Sequence, residues 1–389
     1  AYSGRDRHLK APVTTLPRAE ALFLTLLQGA LHATELDPEP FIGLEDAIWR
    51  RIHRLATQHA VPAFVGDRVL TLPKEALPNR DMRLMIFSEV ELTKRANAYL
   101  AKALRELTEL YQRSELDFLL LKGLAISEYY PTPLLRTGGD LDILFFTDEA
   151  YEEANDLLLY EGYHLHDDSE VRYGHTAFTY GRTIVENHAR AVFFDHKRHN
   201  VAFERALREA IQKGELEHLT IDGLEMKTLP HELNVVYIFI HLFFHWLHWG
   251  VGFRQYCDWL LMMTRLKGSL DLEKIQQLIQ DLEILYPMQL FAEVAIRYLD
   301  VAPEIFPFPL LEKEDPNVDR LLWDVLQSGN FGFAQRPAPS KSRWVTNWRK
   351  FWFKYKRTRR LYRISPVHTS RILWGSVLGH LQLLLRPRR

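Results

Sequence analysis

Two aspartates, Asp140 and Asp142, stand one residue apart at the head of an apolar run, Leu141-Asp142-Ile143-Leu144-Phe145-Phe146. Side chains alternate along a strand, so both carboxylates are expected on one face, with Leu141 and Ile143 on the other. Like charges that close repel unless a cation lies between them, and carboxylate oxygens suit Mg²⁺ or Mn²⁺. Magnesium keeps waters and recruits phosphate oxygens, so few protein carboxylates imply a phosphorylated substrate. Upstream, Lys122-Gly123 closes a strand pattern and opens a helix, a junction where backbone N–H groups favour anions. Arg136 is expected to fork onto phosphate, and Gly138 and Gly139 to let the backbone approach it closely. A later run, Thr183-Ile184-Val185-Glu186-Asn187-His188, puts Ile184, Glu186 and His188 on one face. Glu186 reads either as a third carboxylate for the metal site or as an edge-strand glutamate facing water.

The elements that must position these groups are legible as a compact α/β unit over residues 115–200. The apolar run 116–121 predicts a buried strand, followed by a short helix, a loop broken by Pro131 and Pro133, and the strand from Asp140 to Phe146. Thr147 suits the N-cap of a helix stopped by Gly162, and two strand-like pieces, HTAFTYG and RTIVENHA, flank a turn at Gly181-Arg182. Residues 1–114 read as helical, with Asn79 capping a long helix over 80–113. Residues 201–327 are mostly helical too, with a hairpin turning at Asp222-Gly223 and helices near 231–249, 252–267, 271–282 and 285–299. Residues 328–389 are read as a linker, SGNFGFAQRPAPS, and a basic, aromatic end. The fold class expected is α+β, a small mixed sheet embedded between helical regions.

Composition bounds the rest. With 389 residues, 47% apolar and 25% charged, the chain has core material for more than one folded unit and lies far from the disordered extreme. The lone cysteine, Cys257, excludes an internal disulfide and fits a reducing compartment, and AYSGRDRHLK has no apolar signal core behind it, so a cytoplasmic location is expected. Leu233 to Phe253 carries no formal charge over a length that could span a bilayer; three histidines and an asparagine argue for a buried helix instead. His241, His245 and His248 share a helical face, and are read as core histidines lining a polar pocket rather than zinc ligands. Arg254 and Asp258, at i and i+4, are read as a structural ion pair.

The net charge of −1 hides an asymmetry. Of 49 lysines and arginines, 14 lie in residues 341–389, where there is no Asp or Glu, so all 50 carboxylates belong to the first 340 residues. Arg and Lys interleaved there with Trp, Phe and Tyr suit RNA or another anionic macromolecule, a membrane surface, or packing against the acidic body.

Taken together, LLLKGLAISEYYPTPLLRTGGDLDILF and the later Glu186 resemble the bacterial "uncharacterised nucleotidyltransferase" family, within the DNA polymerase β-like nucleotidyltransferase superfamily. The stretch GLEMKTLPHELNVVYIFIHLFFHWLHWGVGFRQYCDWLLMM is similar to the helical region of that family, so that the likeness covers roughly residues 100–265. It implies that residues 115–200 are the nucleotidyltransferase core, that Asp140, Asp142 and Glu186 bind Mg²⁺ or Mn²⁺ and that Glu186 activates the acceptor hydroxyl. Lys122, Gly123 and Arg136 would cradle the triphosphate of an NTP. The implied reaction moves a nucleoside monophosphate from NTP to an acceptor with release of pyrophosphate. Leu124 departs from the Gly or Ser that many superfamily members carry after the first glycine. The competing readings are an Asp-x-Asp glycosyltransferase and a catalytically silent binding module with this fold.

Overall fold

The computed structural model describes residues 16–166, 174–338 and 342–371. The chain begins with helices α1 (Arg18–His32), α2 (Asp46–Gln58), α3 (Pro62–Leu70) and α4 (Arg80–Arg113). Asn79 caps α4 by accepting the Met82 N–H at 3.0 Å. The buried stripe of this 34-residue helix changes neighbours along its length. Met82, Ile86 and Val90 join the core of the helical regions, whereas Leu100, Leu104, Leu107 and Tyr111 pack under the sheet. One rigid element thus ties the two cores together.

The sheet is built from β1 (Phe118–Leu120), β2 (Leu141–Phe145), β3 (His164–Leu165), β4 (His175–Tyr180) and β5 (Thr183–His188), in spatial order β1-β2-β5-β4-β3. Only β2 and β5 run parallel; the other pairings are antiparallel, so the sheet is mixed as expected. The short helix α5 (Leu124–Ser127) follows β1, and α6 (Asp148–Tyr160) follows β2, with the Thr147 hydroxyl accepting the Ala150 N–H at 3.1 Å. Alternation sorts the strands cleanly. Ile143, Phe145 and Val185 face α4 and α6, where Asn187 also accepts a hydrogen bond from the Tyr111 hydroxyl at 2.8 Å. Leu119 and Leu144 face the opposite way, into the helical core.

After α7 (Lys197–Lys213) come β6 (Glu217–Ile221) and β7 (Leu224–Thr228). Their turn, Asp222-Gly223, has positive φ at both positions, 48° and 76°, the conformation that a two-residue hairpin needs to match strand twist. The Thr228 hydroxyl donates to Leu120 O at 2.8 Å and moors the hairpin to the sheet edge. Helices α8 (His231–His248), α9 (Phe253–Arg265), α10 (Leu272–Asp281), α11 (Leu285–Leu299) and α12 (Asn317–Ser328) then complete the helical core. The last, α12, is not among the expected helices, although Val318, Leu321, Leu322, Val325 and Leu326 repeat at helical spacing and are all buried. The uncharged stretch of α8 is buried in protein, and among the described residues no helix is long and apolar enough to cross a membrane.

The basic end begins with α13 (Arg343–Leu361), which lies on α8 and α12. Arg357 donates to Trp246 O at 2.8 Å and pairs with Asp324 at 2.7 Å; Arg360 also pairs with Asp324, and Leu361 and Ile364 enter the core. The described part of this end therefore packs on the body, whose buried Asp324 compensates two of its arginines. Residues 1–15 and the final basic stretch 372–389 lie outside the described residues. Residues 329–332, read above as linker, press against the turn between α8 and α9: a Cβ on Gly332 would lie 2.0 Å from Trp249 O.

His59 fastens the N-terminal helices to this core, its Nδ1 accepting the Phe253 N–H and its Nε2 donating to Leu326 O, each at 3.3 Å. Burial lowers its pKa to about 3, so it is neutral when folded. The unfolded chain takes up a proton below about pH 6.5 that the folded chain refuses, so stability present above that pH is lost as pH falls toward 3. Urea melts at pH 7.5 and pH 5 are expected to show a shallower pH dependence for His59→Gln than for the native protein, by up to about 1.4 kcal/mol per pH unit. Deleting residues 342–389 is expected to lower the melting temperature, because it uncovers α8 and leaves Asp324 without its arginines.

Candidate active site

Parallel pairing of β2 with β5 sets Asp142 opposite Glu186 and Leu144 opposite His188. Asp142, Glu186 and His188 thereby converge, with one ligand atom from each lying within 4.8 Å of the others. Asp142 is fully buried, yet its Oδ1 accepts from Lys122 Nζ at 2.6 Å and from His188 Nε2 at 3.0 Å. Its Oδ2 is buried without a hydrogen-bond partner. Lys122 reaches it because the Leu121 N–H donates to Asp142 O at 3.0 Å, which lays the end of β1 alongside the carboxylate. His188 Nε2 is also 3.5 Å from Glu186 Oε2.

The charges support one another. Burial opposes the charge on Lys122, but Asp142, with Tyr237, Asp140 and Glu186 behind it, holds its pKa well above the ordinary range. Burial likewise opposes ionisation of Glu186, but the hydrogen bond from His188 and the charge of Lys122 pull its pKa below the usual carboxylate value. For His188, burial works against protonation, and hydrogen bonds to Asp142 and Glu186 outweigh it and raise its pKa. The carboxylates of Asp142 and Glu186, one oxygen of the former buried and unbonded, are the donors that hard, oxygen-seeking divalent cations take, while His188 Nε2 is spent on those carboxylates.

Asp140 precedes β2 and lines the same cavity, of about 610 Å³, together with Lys122, Gly139 and Glu186. It is not one of the three closely spaced residues. Gly123 has φ 64°, and a Cβ there would lie 3.0 Å from Asp140 O, so glycine is required where the loop after β1 meets the start of β2. Leu124, the departure noted above, turns into the core beneath the sheet. The two later glycines serve different ends. A Cβ on Gly138 would meet Asn97 Oδ1 at 2.6 Å, so this glycine lets the loop close onto α4, whereas Gly139 is exposed and borders the cavity.

Arg136 is buried and committed. Its Nε and Nη2 donate to the two oxygens of Asp258 at 2.8 and 2.9 Å, and the Tyr130 hydroxyl donates to the same carboxylate at 2.7 Å. Asp258 therefore pairs with Arg136, not with Arg254 four residues before it. The i, i+4 expectation fails because α9 presents Asp258 to the loop before β2, whose guanidinium offers a parallel fork. Arg254 instead turns into the cavity, its Nη1 donating to Thr137 O at 3.3 Å.

On α8, His241, His245 and His248 border the same cavity and lie outside the cluster of Asp142, Glu186 and His188. Burial lowers the pKa of His245 to about 3 and of His248 to about 4, so they are neutral. Strand alternation places His188 on the face of Glu186 without giving it a task, and no pattern singles out Tyr237 or Phe331, which line the cavity. The spacing of Glu186 and His188 was the available signal for the first; nothing local marks the other two.

A carboxylate pair set across parallel strands of a small mixed sheet, beside a half-buried lysine, makes a site capable of holding a cation in an α+β fold. The chain belongs to the family described as uncharacterised nucleotidyltransferase, whose model matches residues 45–300. No curated protein matches the chain. Among solved structures, it is similar to an antigenic nucleotidyltransferase-like protein from Paracoccidioides brasiliensis, at 16% identity over 54% of this chain and 92% of that one, with a TM-score of 0.29; at that score the likeness carries no argument.

Removing either half of the buried Arg136–Asp258 pair strands the other charge. Asp258→Asn and Arg136→Met are each expected to lower stability by about 3–5 kcal/mol in urea melts. If Asp258 were held by Arg254, Arg136→Met would leave its carboxylate satisfied and would cost far less.

Proposed function

We propose that this protein transfers a nucleoside monophosphate from an NTP to the hydroxyl of an acceptor and releases pyrophosphate. The observation that carries the reading is the in-register pair Asp142 and Glu186, with Asp142 Oδ2 buried and unbonded and with Lys122, Asp140 and Glu186 lining one cavity. Family membership supports it. Asp142 and Glu186, with Asp140 at the head of β2, would hold Mg²⁺ or Mn²⁺, which supplies charge neutralisation at the attacking and leaving oxygens. The remaining work belongs to the chain. Glu186, ionised at neutral pH, accepts the proton of the acceptor hydroxyl as its oxygen bonds to the α-phosphorus. The bond from that phosphorus to the bridging oxygen of pyrophosphate breaks, and the positive charge of Lys122 offsets the negative charge developing on the phosphates. His188 holds the Asp142 carboxylate in place through its 3.0 Å hydrogen bond. Gly123 and Gly139 give a phosphate access to backbone at the rim of the cavity.

Asp142→Asn and Asp140→Asn test this differently. Asp142 is buried and is the ion-pair partner of half-buried Lys122, so its amide variant loses stability as well as metal-dependent binding. Asp140 lines the cavity without belonging to that pair, and is the cleaner probe. Calorimetry with each NTP and Mg²⁺ or Mn²⁺ is expected to show affinity falling by about tenfold or more in Asp140→Asn and Glu186→Gln at unchanged melting temperature. Unchanged affinity in both variants would remove the metal site from the reading. Binding without transfer of labelled nucleotide to any cellular fraction would return the protein to a nucleotide-binding module.

A further inference from the structure

The cavity extends from the carboxylates toward a second cation that the proposed mechanism leaves unused. Arg254, on the first turn of α9, has no ion-pair partner among the described residues, while Arg136 beside it holds Asp258 with two nitrogens. Its Nη1 makes one long bond, 3.3 Å, to Thr137 O, and its Nε is buried with no partner. The guanidinium lies 5.6 Å from the centre of the Phe331 ring. Phe331 holds that position from a left-handed backbone, φ 50°, which a bulky side chain adopts at some cost in energy. The fold thus fixes the guanidinium plane and leaves donors unspent.

Its surroundings show where those donors can be used. A Cβ built on Gly139 meets nothing nearer than Arg254 Nη1, at 3.8 Å, so the guanidinium stands over the exposed glycine immediately before Asp140. Burial and the charge of Arg136 lower the pKa of Arg254. A planar fork, rigidly backed by an aromatic ring and aimed into a cavity beside a metal-capable site, matches the geometry of a phosphate.

We infer that Arg254 forms an anion subsite that receives a phosphate group. The inference rests on the function proposed above for this cavity, and gives Arg254 the phosphate contact that the sequence suggests for Arg136. That phosphate belongs either to the triphosphate tail of the NTP or to a phosphorylated second substrate.

Calorimetry with inorganic pyrophosphate in the absence of metal, and with the Mg²⁺-NTPs, separates the two sources. Arg254→Gln is expected to weaken pyrophosphate binding by about tenfold or more, the worth of a charge-assisted hydrogen bond, at unchanged melting temperature. Arg254→Lys, which keeps the charge and loses the fork, should fall between, and keeps the measurement readable if the Gln variant does not fold. Parallel loss of NTP affinity places the nucleotide tail at Arg254; loss for pyrophosphate alone places there a phosphate of the second substrate. Unchanged binding of both ligands in the Arg254 variants overturns the subsite, and if Asp140→Asn still weakens NTP binding the proposed function survives that result. Arg254-dependent pyrophosphate binding in a protein that binds no NTP would keep the subsite and remove the function. A native protein that binds neither overturns both.

Discussion

The ion pair between Lys122 and Asp142 is the contact on which the site depends. A carboxylate wholly removed from water is tolerated only when its charge is met, and here a lysine at 2.6 Å and an imidazole at 3.0 Å meet it on one oxygen. The other oxygen is left buried and unbonded. The arrangement keeps β2 stable with a buried acidic residue near its start and leaves one carboxylate oxygen unbonded. It also joins three segments, since Lys122 follows β1, Asp142 lies in β2 and His188 ends β5.

Around this pair, buried charges lock the loops that frame the cavity. Arg136, Asp258 and Tyr130 fasten the loop before β2 to α9, and Asn97 on α4 donates to the carbonyls of Leu134 and Arg136 at 2.8 and 2.7 Å. On the far side, Asp324 gathers Trp246, Arg357 and Arg360, holding α13 where Lys354 stacks 4.4 Å over Trp249. Each of these networks joins a helix of the large core to a segment distant in sequence. The cavity walls are accordingly set by ion pairs whose partial loss is costly, which favours a single arrangement of the site.

Much of the framework was legible because its signals are local. The caps Asn79 and Thr147, the Asp222-Gly223 turn and the strand alternation around Asp142 and Glu186 each depend on neighbours a few residues away. The helix α12 carries an equally plain apolar stripe, although it is not among the helices expected from the sequence. For the site, alternation placed Glu186 and His188 on one face correctly, and the parallel register then brought that face to Asp142. The expected pairing of Arg254 with Asp258 failed because an i, i+4 spacing states what can meet on a helix surface, and a better-shaped partner arrived from outside the helix.

By itself the sequence determined the order and type of most elements, the carboxylate-rich strand faces and the family signature from Lys122 to Asp142. Those features follow from the two backbone periodicities and from turn chemistry, which need no knowledge of distant contacts. Tertiary structure alone decided which arginine is tied down and which faces the cavity, that His188 bonds Asp142, and that residues 329–332 close against Trp249. These are choices among partners separated by tens to hundreds of residues. Each was settled by which charges and shapes the packing of α8, α9 and the sheet brought within bonding distance.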